Sequence, residues 1–215
     1  MKLLILGASG PSGREITTLA LKKGIQVKAM VRNPAKLCLQ HKNLEIVQGD
    51  ILNEQSIHEA LKNVDAVVWA IGHENKAKAK KTMVIDTCSR GTAYLVKAMK
   101  ENGINRLIAI SSWGVSEENR KRTPFFFRNF IFRFILHKEF EGKRKQEEII
   151  RASDLRYTIV RPTRLTNDEK FTNFKAGYKL RYNHFSHTPR KALAEFIIKE
   201  LDNENVIKKT LEISC

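Results

Sequence analysis

Three glycines near the amino terminus have the types and spacing of a phosphate-binding loop. They follow a short apolar run at residues 2–6 and precede a segment whose apolar residues recur at helical spacing. Glycine permits a tight turn and lets backbone N–H groups approach a pyrophosphate at the helix N-terminus. The residues expected to hold the pyrophosphate are Gly7, Ser9, Gly10, Pro11, Ser12 and Gly13. The alternative is a tight strand-to-helix connection that binds no ligand.

A positive charge follows the second predicted strand. Arg32 stands 25 residues after Gly7, where an NAD-binding protein carries an acid for the ribose 2′-hydroxyl. Arginine at that place favours the additional 2′-phosphate of NADP, and Lys36 can add a second charge. We therefore predict NADP as the cofactor, with NAD as the less favoured one. The competing interpretation is that Arg32 is an ordinary surface arginine.

The chain alternates short apolar runs with longer amphipathic segments. Strands are predicted at 2–6, 27–31, 44–47, 66–71, 107–110, 157–160 and 211–213, and helices at 15–23, 55–62, 84–102, 138–152 and 190–201. Such alternation is typical of α/β proteins with a parallel sheet. We predict a Rossmann-like, doubly wound sheet in a single domain over residues 1–215, with segments 115–135 and 164–186 on the substrate side.

Several residues predict where these helices begin and end. Gly24 and Gly103 fall where a residue in the left-handed conformation would close a helix. Thr188 is predicted to cap the last helix, with Pro189 at its first helical position.

Composition narrows the class of protein. The chain has 215 residues, of which 42% are hydrophobic and 29% charged, which suits one ordinary core and excludes a disordered chain. Its three cysteines, Cys38, Cys88 and Cys215, have no metal-binding or disulfide-framework spacing, so we expect no metal and a cytoplasmic location. The apolar run before Gly7 is too short for a signal peptide, and no segment approaches a transmembrane span.

The chain is strongly basic. Lys and Arg number 39 against 23 Asp and Glu, which gives a formal net charge of +16. Residues 120–145 alone hold nine of these basic residues. Such charge fits nucleic acid, an anionic membrane surface, an anionic small molecule or a solvated surface. Since no nucleic-acid-binding motif accompanies this charge, we expect a small-molecule partner rather than nucleic acid. For the oligomeric state we expect a monomer or a homodimer.

Six short motifs, taken in their order along the chain, make the sequence resemble the atypical short-chain dehydrogenase/reductase superfamily. The resemblance is strongest to its small NAD(P)H-binding group, which includes flavin reductases and biliverdin reductase B. The motifs are the loop at 7–13, Val31-Arg32, Gly49-Asp50-Ile51, Ala70-Ile71-Gly72, Ser111-Ser112 and the segment 157–162. The resemblance implies that Asp50 and Ile51 flank the adenine and that Ala70, Ile71 and Gly72 run under the dinucleotide. It also implies that Ser111 and Pro162 approach the nicotinamide.

One departure from that family bears on the chemistry. Many relatives carry a Tyr-x-x-x-Lys pair on the helix before the sixth strand, and here Glu139 stands at the tyrosine position and Lys143 at the lysine position. Hydride addition to a simple carbonyl develops alkoxide charge that needs an acid or an oxyanion donor. Ordinary ketone reduction is therefore disfavoured, and a planar acceptor such as a flavin, a quinone or a linear tetrapyrrole is favoured. Ser111 and Lys143 remain the candidate catalytic residues, with Lys143 as a solvated helix lysine the alternative.

An aromatic and basic segment at 124–136 holds six of the eleven phenylalanines. Three interpretations are open for this segment. It is a lid over a planar substrate that Phe126 contacts, an interface with a partner or a membrane, or a buried connecting helix. Trp113 is placed to line a substrate pocket or to pack in the core. Together these features predict an NADPH-dependent reductase of a planar acceptor, with a non-catalytic NAD(P)-binding regulator or redox sensor as the alternative.

Overall fold

All seven apolar runs predicted as strands lie in one sheet. The structure is a computed structural model that describes residues 1–72, 81–121, 137–169, 171, 173–183 and 185–215. The strands are β1 (Lys2–Leu6), β2 (Gln26–Val31), β3 (Leu44–Gln48), β4 (Ala66–Trp69), β5 (Arg106–Ile110), β6 (Arg156–Pro162), β7 (Arg164–Thr166), β8 (Lys175–Gly177), β9 (His187–Pro189) and β10 (Lys209–Ser214). The α-helices of the described ranges are α1 (Pro11–Lys22), α2 (Glu54–Leu61), α3 (Lys81–Glu101), α4 (Glu117–Lys121), α5 (His137–Arg151) and α6 (Arg190–Lys199).

The strand order confirms the doubly wound α/β prediction. The sheet runs β3-β2-β1-β4-β5-β6-β10-β8, and every pair is parallel except the edge pair of β10 with β8. The order reverses between β1 and β4, so the carboxyl ends of these two strands bound the crevice in which such sheets bind ligands. β7 and β9 form a separate two-stranded pair.

Two apolar layers cover the sheet because its strands are apolar on both faces. One layer joins alternate sheet residues to α1 and α6, and includes Ile5, Ile16 and Leu193. The other joins the intervening sheet residues to α2, α3 and α5, and includes Leu4 and Leu95. The second layer fixes α5 over β5 and β6, which brings its polar residues to the carboxyl ends of those strands.

Helix ends show where local signals hold and where they fail. Gly24 and Gly103 have φ of 77° and 70°, as predicted for residues that close α1 and α3. The cap predicted at Thr188 is wrong, because α6 begins at Arg190 after an N-cap at Pro189. The Thr188 hydroxyl donates instead to the Ile213 carbonyl at 2.9 Å, which ties β9 to β10. The Thr188 hydroxyl, predicted to cap the helix, is therefore hydrogen-bonded to a backbone carbonyl that lies close in space but far along the chain.

Candidate dinucleotide site and acceptor pocket

The glycine loop forms the tight turn that a dinucleotide requires. Gly7 has a φ of +83°, and a Cβ there would lie 3.0 Å from backbone atoms of Ala70 and Ile71. A Cβ on Gly13 would lie 2.2 Å from the Gly7 carbonyl oxygen. These two positions therefore need glycine so that the end of β1, the start of α1 and the segment after β4 can lie in contact.

The third glycine leaves the helix N-terminus open. Gly10 is the N-cap of α1, its φ of −75° is ordinary for any residue, and no side chain of the described residues caps the helix. Among those same residues, a Cβ on Gly10 would meet only the Gly7 carbonyl oxygen, at 3.4 Å, so none of them crowds the backbone at this helix end. Pro11 occupies the first helical position and the first turn has no acidic residue. Unpaired N–H groups and the positive end of the helix dipole thus face an open cradle, which fits a pyrophosphate.

Basic side chains stand beside this cradle at the end of β2. Arg32 and Lys36 are both exposed, and no ion pair joins either of them to a carboxylate within the described residues. The Arg14 guanidinium of α1 donates a hydrogen bond to the Lys36 carbonyl, which ties the turn carrying Lys36 to the first helix. The structure therefore brings the predicted phosphate ligands to one end of the sheet. Their contact with a 2′-phosphate stays a prediction.

The residues predicted to surround the adenine and the nicotinamide line the same edge. Asp50 is exposed, and its carboxylate accepts a hydrogen bond from the Leu52 amide at 2.9 Å. Asp50 is not the cap of the following helix, because the Asn53 side chain accepts a hydrogen bond from the Ser56 amide and caps α2. Ile51 is buried, with a side chain close to Gly91 of α3.

The segment after β4 and the end of β6 complete this edge. Strand β4 ends at Trp69 rather than at Ile71, so Ala70, Ile71 and Gly72 form an extension past the strand. Ala70 still donates its amide to the Leu6 carbonyl at 2.9 Å, which keeps this extension beside the glycine loop. Pro162 is buried at the end of β6. The predicted roles of these residues in cofactor binding stay predictions.

Lys143 is buried, which overturns its interpretation as a solvated helix lysine. It is 5% exposed, and its ammonium group lies between the ends of β4 and β5. Its N–H groups donate to the Ile110 carbonyl at 2.7 Å, to Gln146 Oε1 at 2.9 Å and to the Ile71 carbonyl at 3.4 Å. Because an ammonium has three donors, its hydrogen-bonding capacity is used inside the protein. Lys143 thus joins two neighbouring strand ends at the predicted nicotinamide side of the sheet.

Ser111 belongs to a buried polar cluster that the sequence analysis missed. Its hydroxyl donates to Glu147 Oε1 at 2.5 Å, and Glu147 is 3% exposed. Arg161 of β6 donates to both oxygens of this carboxylate, from Nε at 2.9 Å and from Nη2 at 2.6 Å. Arg151 adds a contact at 3.2 Å. The available signal was the polar series Lys143, Glu147 and Arg151, since residues four apart share one helix face.

The charge state of Glu147 follows from these contacts. Burial by itself would raise the pKa of its carboxyl group, but the hydrogen bonds from Arg161 and Ser111 and the positive charges of Arg161 and Arg151 outweigh burial. The pKa of Glu147 therefore lies below its usual value of 4.5. The group is an anion at neutral pH and accepts hydrogen bonds only.

A cavity opens beside this cluster. It has a volume of about 460 Å³, which is within the range of small-molecule pockets. Its lining residues come from the segment after β5, from α5 and from β6, and are Val115, Ser116, Glu117, Arg144, Glu147, Glu148, Arg151 and Arg161.

The two predicted substrate residues have different outcomes. Trp113 is 2% exposed and stacks on Tyr182 with ring centroids 4.3 Å apart, in a small apolar cluster with Val115 and Phe140. It therefore packs behind the cavity wall, and contact with a substrate stays a prediction. Phe126, with the whole segment 124–136, lies outside the described residues.

The sequence pattern of a protein family described as NAD(P)H-binding matches residues 7–204, which includes the glycine loop and both strand ends that hold the polar cluster. The chain belongs to this NAD(P)H-binding family. Its sheet order, its open helix N-terminus and the glycines at positions 7 and 13 agree with that membership. The membership also confirms the resemblance to atypical short-chain dehydrogenases/reductases.

Individual relatives of this NAD(P)H-binding protein carry different names. It is 26% identical to the uncharacterized sugar epimerase YhfK of Bacillus subtilis, over 100% of this chain and 94% of YhfK. It is 25% identical to the photosystem II assembly factor Ycf39 of Guillardia theta, over 99% of this chain but only 64% of Ycf39. A solved structure from Bacillus halodurans, provisionally named an NAD-dependent epimerase/dehydratase, superposes with a TM-score of 0.82 at 25% identity and covers 100% of this chain and 94% of that one.

Two further observations concern metals and membranes. Within the described ranges, no group of three or more histidine, cysteine, aspartate or glutamate side chains is placed to hold a metal ion. None of the helices in those ranges has both the length and the apolar character needed to cross a bilayer.

The ionised Glu147 makes a prediction about acid stability. We expect Glu147→Gln to lower the free energy of unfolding at pH 7 by about 3 kcal/mol, because it leaves the largely covered guanidinium group of Arg161 without its charged partner. The folded pKa is depressed, so the contribution of Glu147 is present above its unfolded pKa and is lost as the pH falls through its folded pKa. The difference between the two proteins should therefore shrink below about pH 4. Urea unfolding between pH 3 and pH 8 measures it.

A matched control is the next residue in the chain. Glu148→Gln removes an exposed carboxylate paired with Arg144 at 2.6 Å, and should change the free energy of unfolding by less than about 1 kcal/mol at every pH. A destabilisation of Glu147→Gln that does not vary with pH would contradict an ion-pair origin.

Proposed function

We propose that this protein is an NADPH-dependent oxidoreductase that passes hydride to a planar conjugated acceptor, such as a free flavin or a quinone. The observation that carries the proposal is the cradle at Gly10, where no side chain of the described residues caps the N–H groups that begin α1, at the crevice bounded by the ends of β1 and β4. NADPH, when bound, supplies the hydride. The chain's own part is to hold the dinucleotide and to position the acceptor.

The residues divide this task along the sheet edge. The loop at 7–13 binds the pyrophosphate, and Arg32 with Lys36 binds the 2′-phosphate. Asp50 and Ile51 flank the adenine, and the extension at 70–72 supports the dinucleotide. Ser111 and Pro162 meet the nicotinamide end, because the second half of such a sheet takes the second mononucleotide. The cavity of about 460 Å³ beside Ser111 receives the acceptor.

The directions of two donors favour a delocalised acceptor. All three N–H groups of Lys143 and the O–H group of Ser111 point to partners inside the protein. A simple carbonyl would need one of them to stabilise the alkoxide that hydride transfer produces. A flavin or a quinone spreads that charge over its rings and takes its proton from solvent, so close positioning against the nicotinamide suffices. The same argument disfavours a sugar epimerase, although YhfK carries that name.

A second candidate function is a non-catalytic NADPH-binding regulator or redox sensor. The inward direction of the Lys143 and Ser111 donors favours it, because a binding protein needs no group that protonates a substrate. The relative named an assembly factor is compatible with it. Continuous NADPH oxidation across a panel of flavins and quinones separates the two functions. NADPH binding with no oxidation by any acceptor would favour the sensor over the reductase.

Gly10→Ala tests the cradle on which both candidates depend. The backbone of Gly10 suits alanine and the added Cβ meets no described atom closer than 3.4 Å, so the loss of stability should stay below about 1 kcal/mol, from the poorer N-cap alone. The methyl group should enter the space of the pyrophosphate and weaken NADPH binding about tenfold. Calorimetric titration with NADPH and thermal unfolding of the free protein measure the two effects.

Gly177→Ala is the matched control for this substitution. A Cβ there meets none of the described atoms within 4 Å, and the residue lies in the edge strand β8. It should leave both NADPH affinity and melting temperature unchanged. Unchanged NADPH affinity in Gly10→Ala, or no NADPH binding by the wild-type protein, would refute the proposed cradle.

A further inference from the structure

The hydroxyl proton of Ser111 has a fixed direction. Ser111 is 6% exposed at the carboxyl end of β5, and its Oγ lies 2.5 Å from Glu147 Oε1. An ionised carboxylate has no proton to donate, so the single hydroxyl proton of Ser111 must lie in this hydrogen bond. The Oγ atom therefore offers only its lone pairs to any other molecule.

Glu147 is held so that this direction cannot easily change. Arg161 grips both carboxylate oxygens through a planar two-point contact, at 2.9 and 2.6 Å. Arg151 approaches Oε2 at 3.2 Å, so two guanidinium groups serve one carboxylate. Protonation or rotation of Glu147 would break these charged contacts. The carboxylate thus acts on Ser111 from a rigid position.

The neighbouring lysine, Lys143, offers a ligand at Ser111 no hydrogen-bond donor either. Lys143 lies beside the same strand end, and its ammonium group donates to the Ile110 carbonyl, immediately before Ser111. Since its other N–H groups point to Gln146 and Ile71, it presents no donor to a ligand at Ser111 in this arrangement. A ligand group that meets Ser111 must therefore bring its own hydrogen-bond donor.

We infer that Ser111 binds an N–H group of the bound molecules by accepting its hydrogen bond, and that Glu147 is the positioning residue that fixes the serine hydroxyl for this purpose. Ser111 consequently does not protonate the acceptor. This inference rests on the proposed function. The N–H group has two possible sources, the carboxamide of the nicotinamide and a ring N–H of the acceptor, such as N3–H of a flavin.

The first arm of the test uses the cofactor. In reduced 3-acetylpyridine adenine dinucleotide phosphate a methyl group replaces the carboxamide NH2 of NADPH, so the donor is lost and the carbonyl remains. If the carboxamide is the source, wild-type protein should bind this analogue about fivefold more weakly than NADPH. Ser111→Ala should bind the two within about twofold, and Ser111→Thr, which keeps the hydroxyl, should restore the preference. Calorimetric titration measures all of these affinities without turnover.

Glu147→Gln tests the positioning role. Its amide can donate to Ser111 Oγ, which frees the serine proton for the acetyl or carboxamide carbonyl. The preference for NADPH over the analogue should fall in this variant. Because Glu147→Gln is destabilised, the conclusion also rests on Ser111→Ala, which leaves the contacts of Glu147 with Arg161 and Arg151 in place.

The second arm uses the acceptor. Lumiflavin and 3-methyllumiflavin differ only in the N3–H donor, and their KM values with NADPH are compared. If the acceptor is the source, methylation should raise KM about fivefold in the wild-type protein and leave it unchanged in Ser111→Ala. Ser153→Ala is the control in both arms, because its hydroxyl donates to the Ile150 carbonyl at the end of α5 and not at the site.

Each outcome decides the inference. A preference that Ser111→Ala removes in either arm supports it and identifies the source of the N–H group. Equal preferences in wild type and Ser111→Ala in both arms overturn it. Failure of the wild-type protein to bind NADPH refutes the proposed function, and the inference with it. Binding of NADPH with no Ser111-dependent preference refutes the inference and leaves the proposed function standing.

Discussion

Gly13→Ala should lower the free energy of unfolding by about 3 kcal/mol and weaken NADPH binding more than about 100-fold. The added Cβ would lie 2.2 Å from the Gly7 carbonyl oxygen and 2.8 Å from Ala8 Cα, and both neighbours are backbone atoms. Relief of this overlap requires the end of β1 to separate from the first turn of α1. The N–H groups of that turn would then lose their alignment on the pyrophosphate. Urea unfolding and calorimetric titration with NADPH measure the two losses.

The effects of Gly13→Ala on stability and on NADPH affinity can be compared with those of Gly10→Ala. Both variants add one methyl group to the same loop, but at Gly10 the nearest atom is 3.4 Å away. Gly10→Ala should therefore lose affinity with a loss of stability below about 1 kcal/mol, whereas Gly13→Ala should lose both affinity and about 3 kcal/mol of stability. A Gly13→Ala protein as stable as wild type would mean that the loop does not have the described conformation.

Arg32→Asp should weaken NADPH binding about 100-fold and leave NADH binding within about threefold of wild type. The substitution removes charge-assisted hydrogen bonds to the 2′-phosphate and places a carboxylate against a dianion. In NADH the same carboxylate faces the ribose 2′-hydroxyl and can accept a hydrogen bond from it. Arg32 is exposed, so the fold should be unaffected. Titrations of both cofactors at low and at 0.5 M salt measure the selectivity, which should fall with salt in the wild-type protein.

Lys199→Asp provides a control with the same change of charge. Lys199 is exposed in the last turn of α6, where nothing assigns it to the cofactor. It should alter both affinities equally and slightly, through the net charge of the protein. Equal losses of NADPH and NADH binding in Arg32→Asp would remove the assignment of Arg32 to the 2′-phosphate.

Seven of the ten strands in the described residues, and the glycine loop, were predictable because their signals are local. The three-residue strands β7, β8 and β9 were not predicted. Strand β1 was predicted over its observed length, Lys2–Leu6, since a run of four apolar residues after Lys2 ends abruptly at a glycine. The helix ends at Gly24 and Gly103 were predicted for the same reason, because a positive φ is a property of the residue and its immediate neighbours. The alternation of strands and helices then fixed the doubly wound order.

Some local signals were overridden by contacts distant in the chain. Thr188 has the side chain of a helix cap, but its hydroxyl bonds to the carbonyl of Ile213, 25 residues away. Lys143 has a side chain usual on an exposed helix face, but the end of β5 supplies a carbonyl acceptor 33 residues away. Trp113 is covered by Tyr182, which no pattern around the tryptophan indicates.

The sequence by itself therefore determined the fold, the conformation of the glycine loop and the charge at the end of β2, because each depends on residues close together in the chain. Only the tertiary structure decided that Ser111, Glu147 and Arg161 form one cluster. Ser111 directly follows β5, Glu147 lies in α5 and Arg161 lies in β6. They meet because the register of the two strands and the packing of the helix between them bring separate segments to the same sheet edge. That meeting fixes the direction of the Ser111 proton.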